Sequence, residues 1–331
     1  MPSAGGDDAV TTLLIANDGG HLQELWDLRD RLEIDDDIVW CSVPTPQTES
    51  LLRGEDVVWT HRADTRDAVA VARNTRVLRS VVRRLRPATM VSTGSSLALS
   101  ACMAAAGTRA RLHYIESLTR TIGPSVTGSI LMRHPGVRLY TQWPHLESRR
   151  WHYRGSVLDG YETVPSGERA VERMVVSVGT SKKFGFGRLV RTLADIVPAD
   201  VQVLWQTGYT DVSELTIQAS PHVPFDELKA AIGDADVMVS HAGVGITLTA
   251  LDAGLSPVLV PRRRAFAEHV DDHQMQIAGE LEAKGLATSR AVEELTWADL
   301  CAAASGRVVR ADTAPTFRLS RSAREAHHVA R

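Results

Sequence analysis

Short apolar runs alternate with longer amphipathic stretches along most of the chain. In the first half, the runs that read as strands are TTLLIA (11–16), DIVWCSV (37–43), DVVWTH (56–61), ATMVST (88–93), RLHYIES (111–117) and VRLYTQW (137–143). Several are apolar throughout, as strands covered on both faces are. Helical patterns lie between most of them, and this alternation predicts βαβ units in a doubly wound parallel sheet.

The second half repeats this pattern. Its predicted strands are RMVVSVG (173–179), VQVLWQT (201–207), HVPF (222–225), DVMVS (236–240) and SPVLVP (256–261), with helices near 186–197 and 226–233. We therefore predict an α/β protein with two doubly wound domains, over 1–160 and 173–304. The aperiodic segment 161–172 is predicted to link them, and 305–331 is predicted to be a polar, Arg-rich tail exposed to solvent.

Composition narrows the class of protein. With 331 residues, 44% of them hydrophobic and 23% charged, the chain has the make-up of a globular protein with two cores. Its formal net charge of −3 argues against a nucleic-acid binder, which needs a surplus of Lys and Arg. Three scattered cysteines favour neither a disulfide framework nor a zinc site. The opening MPSAGGDDAV lacks the basic and apolar regions of a secretory signal, so we expect a cytoplasmic location.

Small-residue loops follow four of the predicted strands. They are NDGGH (17–21) and TGSS (93–96) in the first half, and GTS (179–181) and HAGVG (241–245) in the second. Small residues let a phosphate approach unpaired N–H groups at the positive end of a helix dipole. Glycine at such turns also serves backbones with positive φ in any protein. No G-x-G-x-x-G or Walker motif is present, which disfavours a dehydrogenase or a P-loop enzyme.

Motifs in both halves resemble one family. The second half contains HVPFDELKAAIGDADVMVSHAGVGITLTALDAGLSPVLVP, followed by EHVDDHQMQIAGELEAKGLA (268–287); the first contains NDGGHLQEL, VSTGSSLALSACMAA, YIESLTR and SVTGSILMRHPGVRLYTQWP. These segments resemble MurG-like glycosyltransferases of the GT-B fold, in particular a fused form of the two-subunit N-acetylglucosamine transferase that acts on dolichol diphosphate, and related bacterial exopolysaccharide transferases. The resemblance covers roughly residues 10 to 287. It implies two Rossmann-like domains facing across a cleft. In GT-B enzymes the C-terminal segment often packs back on the first domain, which is the alternative to a solvent-exposed tail for 305–331.

By this resemblance the second domain binds a nucleotide-sugar donor, most simply a UDP-sugar. The glycine loops would hold the diphosphate, the backbone near Val223 would meet the base, and the DDHQ segment would meet the sugar. The donor positions are then Gly179, Thr180, Ser181, Val223, Phe225, His241, Ala242, Gly243, Val244, Gly245, Thr249, Asp271, His273 and Gln274. An amide such as Gln274 both donates and accepts, which suits sugar hydroxyls. Without the neighbouring family motifs, DDHQ would be interpreted as the start of a helix, with Asp near the N-terminus.

The first domain is expected to bind the acceptor, either a lipid-linked sugar or a small molecule of secondary metabolism, through Asn17, Gly19, Gly20, Thr93, Gly94 and Ser95. Inverting transfer needs a base for the acceptor hydroxyl and charge stabilisation for the leaving nucleotide. His21 matches the histidine of the related MurG loop and is the first candidate base. Glu116 is the second and Glu24 a weaker third, and His21 could instead position an acceptor diphosphate. Helix N-termini can stabilise the leaving group, so no obligatory metal or other cofactor is expected.

Thr249 departs from the family pattern. Many relatives carry at this position a glutamate that holds the ribose hydroxyls, whereas a threonine is uncharged and offers a single hydroxyl. The sequence leaves three interpretations open: Asp252 replaces the glutamate, the donor is a deoxynucleotide such as a dTDP-sugar, or the protein binds nucleotide sugars without turnover.

A basic helix is predicted over 66–87. At 100° per residue, one face carries Val71, Thr75, Leu78, Val82 and Leu85, and the other carries Arg73, Arg76, Arg79 and Arg83. In this family the acceptor is usually a polyprenyl-diphosphate-linked sugar, and a basic face suits peripheral contact with anionic lipid at the inner face of the plasma membrane. An ordinary sheet-covering helix with a solvated side gives the same pattern.

Overall fold

The fold was taken from a computed structural model, which describes residues 10–63, 67–167, 169–180, 183–269 and 272–319. The chain forms two compact units. The N-terminal unit contains the described residues up to Leu118, then Ile122–Val157, and the described residues from Pro315 onwards. The C-terminal unit contains Thr119–Thr121 and Leu158–Ala314.

The N-terminal unit is a parallel sheet covered by helices. Its strands are β1 (Thr11–Ala16), β2 (Asp37–Ser42), β3 (Val57–Trp59), β4 (Thr89–Gly94), β5 (Arg111–Ile115), β6 (Arg138–Thr141) and β7 (Trp151–Tyr153). They lie in the order β3-β2-β1-β4-β5-β6-β7, and every pairing is parallel. Its helices are α1 (Gly20–Leu28), α2 (Pro46–Leu51), α3 (Ala68–Leu85), α4 (Ser96–Ala105) and α5 (Val126–Leu131). The apolar strand residues form the core because helices cover them.

The C-terminal unit has a second parallel sheet. Its elements continue in chain order as β8 (Tyr161–Pro165), β9 (Arg173–Ser177), α6 (Gly187–Ile196), β10 (Gln202–Gln206), β11 (Ala219–Ser220), α7 (Phe225–Asp234), β12 (Val237–Ser240), α8 (Val244–Asp252), β13 (Val258–Leu259), α9 (His273–Ala283), β14 (Thr288–Ser289), α10 (Trp297–Ala304) and β15 (Gly306–Arg310). The parallel order is β11-β10-β9-β12-β13-β14. β8 and β15 pair separately as an antiparallel ribbon.

Strand order changes direction once in each sheet, between β1 and β4 and between β9 and β12. In open parallel sheets, ligands bind beside the carboxyl ends of the two strands at such a switch point. The loops that follow these four strands are NDGGH, TGSS, GTS and HAGVG, which are the loops predicted from sequence. The topology therefore places both predicted loop pairs where a ligand site is expected.

Three sequence predictions differ from the structure. The pattern predicts a strand at HVPF (222–225), but the strand lies earlier at Ala219–Ser220 and Phe225 begins α7. Pro224 has no N–H to donate to a strand ladder, which disfavours a strand at this position. Residues 161–165, predicted within the linker, form β8. Residues 306–310, predicted within the tail, form β15 opposite it.

The predicted basic helix is α3, and its faces agree with the prediction. Thr75, Leu78 and Val82 are buried, whereas the four arginines are exposed. Arg66 lies outside the described residues. No described helix combines the length and apolar character needed to span a bilayer.

Candidate active site

Side-chain bonds tie the two glycine loops of the N-terminal unit together. The Thr93 hydroxyl donates to the His21 carbonyl at 2.6 Å, and the amide of Leu97 donates to Oδ1 of Asn17 at 3.3 Å. Ser95 caps α4 through its own hydroxyl. The predicted acceptor-side residues are thus brought together at the ends of β1 and β4.

His21 lies in the first turn of α1, with its ring against the second loop. Its Nδ1 lies 2.9 Å from the carbonyl oxygen of Thr93. Because a carbonyl only accepts, Nδ1 carries the proton and Nε2 is the basic nitrogen of the neutral ring. A β-carbon at Gly94 would lie 3.0 Å from Cε1 of this ring, so the glycine provides the space that the ring occupies. The geometry gives His21 the tautomer that a general base requires.

Glu116, the second candidate base, is buried and fully engaged. Its Oε1 accepts from the Tyr114 hydroxyl at 2.8 Å and from the amide of Ser117 at 3.2 Å. Its Oε2 accepts from the amide and hydroxyl of Ser125, at 2.8 and 3.0 Å. Ser125 is the N-cap of α5, so the carboxylate holds the start of that helix in place. A catalytic role for Glu116 stays a prediction.

Glu24, the third candidate, is buried in the same unit. It accepts from the Ser117 hydroxyl at 2.8 Å, the amide of Leu118 at 3.0 Å and Nε2 of Gln142 at 2.8 Å. Burial raises the pKa of Glu24 to about 8, against the lowering effect of these donors. This carboxyl joins α1 to the chain after β5 and β6.

Gly19 leaves the start of α1 open. It is the helix N-cap, with φ of 76° and no side-chain cap bond, and no described atom lies within 4 Å of where a β-carbon would stand. The first amides of a helix have no intrahelical acceptor. The loop therefore presents Gly20 and its neighbours as donors for an anion.

In the C-terminal unit, the His241 ring fills the space that two glycines leave. A β-carbon at Gly179 would lie 2.7 Å from Cε1 of this ring, and one at Gly243 would lie 2.6 Å from its Nε2. Nδ1 donates to the Ser177 carbonyl at 3.3 Å. Burial, and then the charge of Arg262, lower the pKa of His241 to about 3. The ring is neutral and is held between the loops after β9 and β12.

The loop then turns directly into α8. Ala242 has a φ of 60°, Gly243 is the N-cap, and no side chain caps the helix. The amides of Val244 and Gly245 lie in the first turn, where helical amides have no intrahelical partner. An anion beside this loop would meet several N–H groups and the positive helix end. Thr180 is exposed on the facing loop, and Ser181 lies outside the described residues.

The predicted base and sugar positions lie on the same unit. The amide of Val223 donates to Oε1 of Gln206 at 3.0 Å, so that amide is already used, and Phe225 opens α7. Gln274 is buried, and its Oε1 accepts from the amide of Arg262 at 3.0 Å. His273 begins α9. Asp271 lies outside the described residues.

Thr249 points into its own helix. Its hydroxyl donates to the Gly245 carbonyl at 2.9 Å, and the residue is only 4% exposed. Asp252, its possible replacement, lies at the far end of α8, where its carboxylate accepts from the Tyr161 hydroxyl at 2.6 Å and pairs with Arg310. Of the three interpretations, the replacement by Asp252 has no support in this geometry.

Sequence reasoning missed Arg262. This residue follows β13 and is 2% exposed, and its guanidinium donates to the Val178 carbonyl beside Gly179. The available signal is the basic run PRRRAF (261–266) directly after a strand end, which reads as an exposed turn. The described residues hold no group of His, Cys, Asp and Glu arranged for a metal ion.

Known glycosyltransferases resemble this chain both in sequence and in fold. Residues 173–300 match the model of the glycosyltransferase family 28 C-terminal domain. The chain is 27% identical over 300 residues, covering 80% of this chain and 79% of the other, to the UDP-N-acetylglucosamine–N-acetylmuramyl-(pentapeptide) pyrophosphoryl-undecaprenol N-acetylglucosamine transferase of Parasynechococcus marenigrum (strain WH8102).

Two solved structures resemble the fold at low sequence identity. MurG of Acinetobacter baumannii is 17% identical with a TM-score of 0.53, covering 87% of each chain. The glycosyltransferase of kitacinnamycin is 17% identical with a TM-score of 0.55, covering 89% of each chain. The predicted doubly wound architecture of both units is confirmed.

Proposed function

We propose that this chain, a MurG-like glycosyltransferase with the GT-B fold, transfers a hexose or N-acetylhexosamine from a UDP-sugar to an acceptor hydroxyl with inversion at the anomeric carbon. Two comparisons support a nucleotide-sugar donor: the family match over residues 173–300, and the relative whose name specifies UDP-N-acetylglucosamine. The preferred acceptor is a polyprenyl-diphosphate-linked sugar, the class that this relative's name also specifies.

The observation that carries this proposal is the loop around His241. A neutral ring set between two glycines lies beside an uncapped helix start, whose first amides are N–H donors without intrahelical acceptors. Such a surface suits a diphosphate, because backbone donors and the helix dipole favour negative charge. It also suits the departure of a nucleoside diphosphate without a metal ion, so we propose that none is obligatory.

The proposed reaction is a single displacement. The acceptor oxygen attacks the anomeric carbon while Nε2 of His21 takes its proton. The bond from that carbon to the β-phosphate oxygen breaks, and the nucleoside diphosphate leaves with the electron pair. Positioned bases of this kind contribute about 10²- to 10⁴-fold to the rate.

We propose a peripheral membrane contact through α3, with the protein in the cytoplasm. Arg76, Arg79 and Arg83 are exposed together on the face away from the sheet. Each Arg near an anionic surface contributes about 1 kcal/mol. Co-sedimentation with vesicles of anionic lipid should exceed that with neutral vesicles, and replacing the three arginines with Gln should abolish the difference. Equal sedimentation with both vesicle types would refute the contact.

A dTDP-sugar donor is the second candidate, as in transferases of secondary metabolism. The inward bond of Thr249 favours it, because no carboxylate of α8 is available to a ribose diol. A nucleotide-sugar-binding subunit without turnover is the remaining alternative.

A thermal-shift panel of UDP-, dTDP- and GDP-sugars separates these functions. Stabilisation by UDP-N-acetylglucosamine supports the main proposal, and a preference for dTDP-sugars supports the second. Incubation of the preferred donor with polyprenyl-diphosphate-linked sugar then distinguishes transfer from binding alone. No response to any nucleotide would refute all three.

A further inference from the structure

Arg262 is a buried cation whose guanidinium is incompletely bonded. The residue is 2% exposed, and one terminal nitrogen donates to the Val178 carbonyl. Its Nε has no partner among the described residues. Burial lowers the pKa of Arg262 to about 10, yet the group stays charged near neutral pH. A buried charge without a full set of partners is costly, so a missing partner is expected.

The carboxylate of Glu268, whose charge acts on Arg262, does not supply that partner. Glu268 accepts from Arg188 through both oxygens, at 2.8 and 3.0 Å, and one of them also accepts from the amide of Arg263 at 3.1 Å. Its charge acts on Arg262 at a distance and raises the pKa of that arginine. Glu268 is therefore already committed, and Arg262 contributes an excess positive charge to this part of the unit.

The contacts of Arg262 place it among the predicted donor residues. Val178, which accepts from its guanidinium, directly precedes Gly179. The Arg262 amide donates to Gln274, and its charge acts on the His241 ring. Arg262 thus joins the two glycine loops to the DDHQ segment.

Two other buried polar side-chain atoms without a hydrogen-bond partner belong to residues that flank the HAGVG loop in sequence. In the described part of the C-terminal unit, the fully buried side-chain polar atoms without a partner are Oγ of Ser240, Oγ1 of Thr247 and Nε of Arg262. Ser240 ends β12 and Thr247 lies in the first turns of α8, on either side of the HAGVG loop. Unsatisfied buried groups are rare in native proteins, and each calls for an explanation, of which a bound polar ligand is one.

We propose that Arg262 binds the diphosphate of the nucleotide donor and supplies the positive charge that holds the leaving nucleoside diphosphate. A guanidinium presents several donors in a planar fork that matches phosphate oxygens. The proposal rests on the proposed function, since it assigns a residue to the same donor site.

The test compares how two variants bind a nucleoside diphosphate and the matching nucleoside. Arg262→Met removes the charge while keeping an apolar chain of similar length, and Arg264→Met removes an exposed arginine of the same loop as the control. UDP or dTDP, whichever wild type binds, is measured by calorimetry, and uridine or thymidine by ligand-observed NMR. Arg262→Met should weaken binding of the nucleoside diphosphate roughly 10- to 100-fold, which is the loss expected when a hydrogen bond to a charged group is removed.

The nucleoside separates a diphosphate contact from a structural role. Its affinity should be unchanged in Arg262→Met, and Arg264→Met should match wild type for both ligands. Equal weakening of nucleoside and diphosphate, or no weakening, would overturn the role of Arg262 while leaving the proposed function intact. If wild type binds neither diphosphate, both proposals fail. If Arg262→Met does not fold, Arg262→Lys replaces it, and the diphosphate should again weaken selectively.

Discussion

Adding one methyl group at Gly243 should disable the donor site without unfolding the unit. The backbone at Gly243 has a φ of −74°, which alanine adopts without strain, so any effect comes from space alone. The new β-carbon would lie 2.6 Å from Nε2 and 2.8 Å from Cε1 of His241. Carbon atoms pack at about 3.5–4.0 Å, so the ring must move by roughly 1 Å.

The ring has no room to make that movement in place. The space beside Gly179 is equally tight, since a β-carbon there would lie 2.7 Å from Cε1 of the ring. The ring must therefore either lose its hydrogen bond to the Ser177 carbonyl or displace the loop that begins α8. In enzyme active sites, misplacement of a group by 1 Å can lower the reaction rate about 100-fold. We expect nucleoside diphosphate affinity to fall about 10- to 100-fold, or about 1.4 to 2.8 kcal/mol.

Calorimetry with UDP or dTDP measures this loss, and Gly279→Ala is the matched control. Gly279 lies within α9 and is exposed, and a β-carbon added there would meet no described atom within 4 Å. Its replacement should leave affinity unchanged and raise stability by up to about 1 kcal/mol, the helix propensity difference. Wild-type affinity in a folded Gly243→Ala protein would refute the assignment of this loop to the donor.

The other predictions concern the base, a buried carboxyl and the ribose position. His21→Ala should lower kcat about 10²- to 10⁴-fold with little change in donor affinity; a raised donor KM alone would remove His21 as the base. Glu24 has its pKa raised from 4.5 to about 8 in the folded protein, so the folded state retains a proton that the unfolded chain releases. Unfolding free energy should therefore fall as pH rises from about 5 to 8, and urea titrations of Glu24→Gln should lack this component; identical pH profiles would contradict it. Thr249→Glu should raise the ratio of UDP to dTDP affinity, and an unchanged ratio in direct titrations would show that this position does not read the sugar.

The two sheets are predictable because their signals are local. Buried parallel strands such as Thr11–Ala16 are apolar on both faces, and the small residues after them mark strand-to-helix turns. The order of strands, which brings NDGGH beside TGSS and GTS beside HAGVG, follows from the doubly wound pattern. Neither signal depends on residues far away in the chain.

The features that the sequence did not reveal depend on distant partners. β8 and β15 are exposed strands without an apolar pattern, and each exists because the other pairs with it from more than a hundred residues away. Phe317 is fully buried against Tyr140 although its neighbours are polar, and its amide donates to the Arg31 carbonyl. Arg262 reads as a surface residue, and only the fold covers it.

The antiparallel ribbon of β8 and β15 brings together the two ends of the long segment of the C-terminal unit. β8 runs beside β15 from Tyr161↔Arg310 to Pro165↔Gly306, and the amide of Ala311 donates to the Gly160 carbonyl at 2.9 Å. The long segment of this unit, Leu158–Ala314, therefore begins and ends at adjacent positions that backbone hydrogen bonds hold together. A segment whose ends are adjacent can be exchanged as one piece, so replacing residues 158–314 with those of a relative would test whether this segment sets the donor specificity while residues 1–157 keep their own sequence.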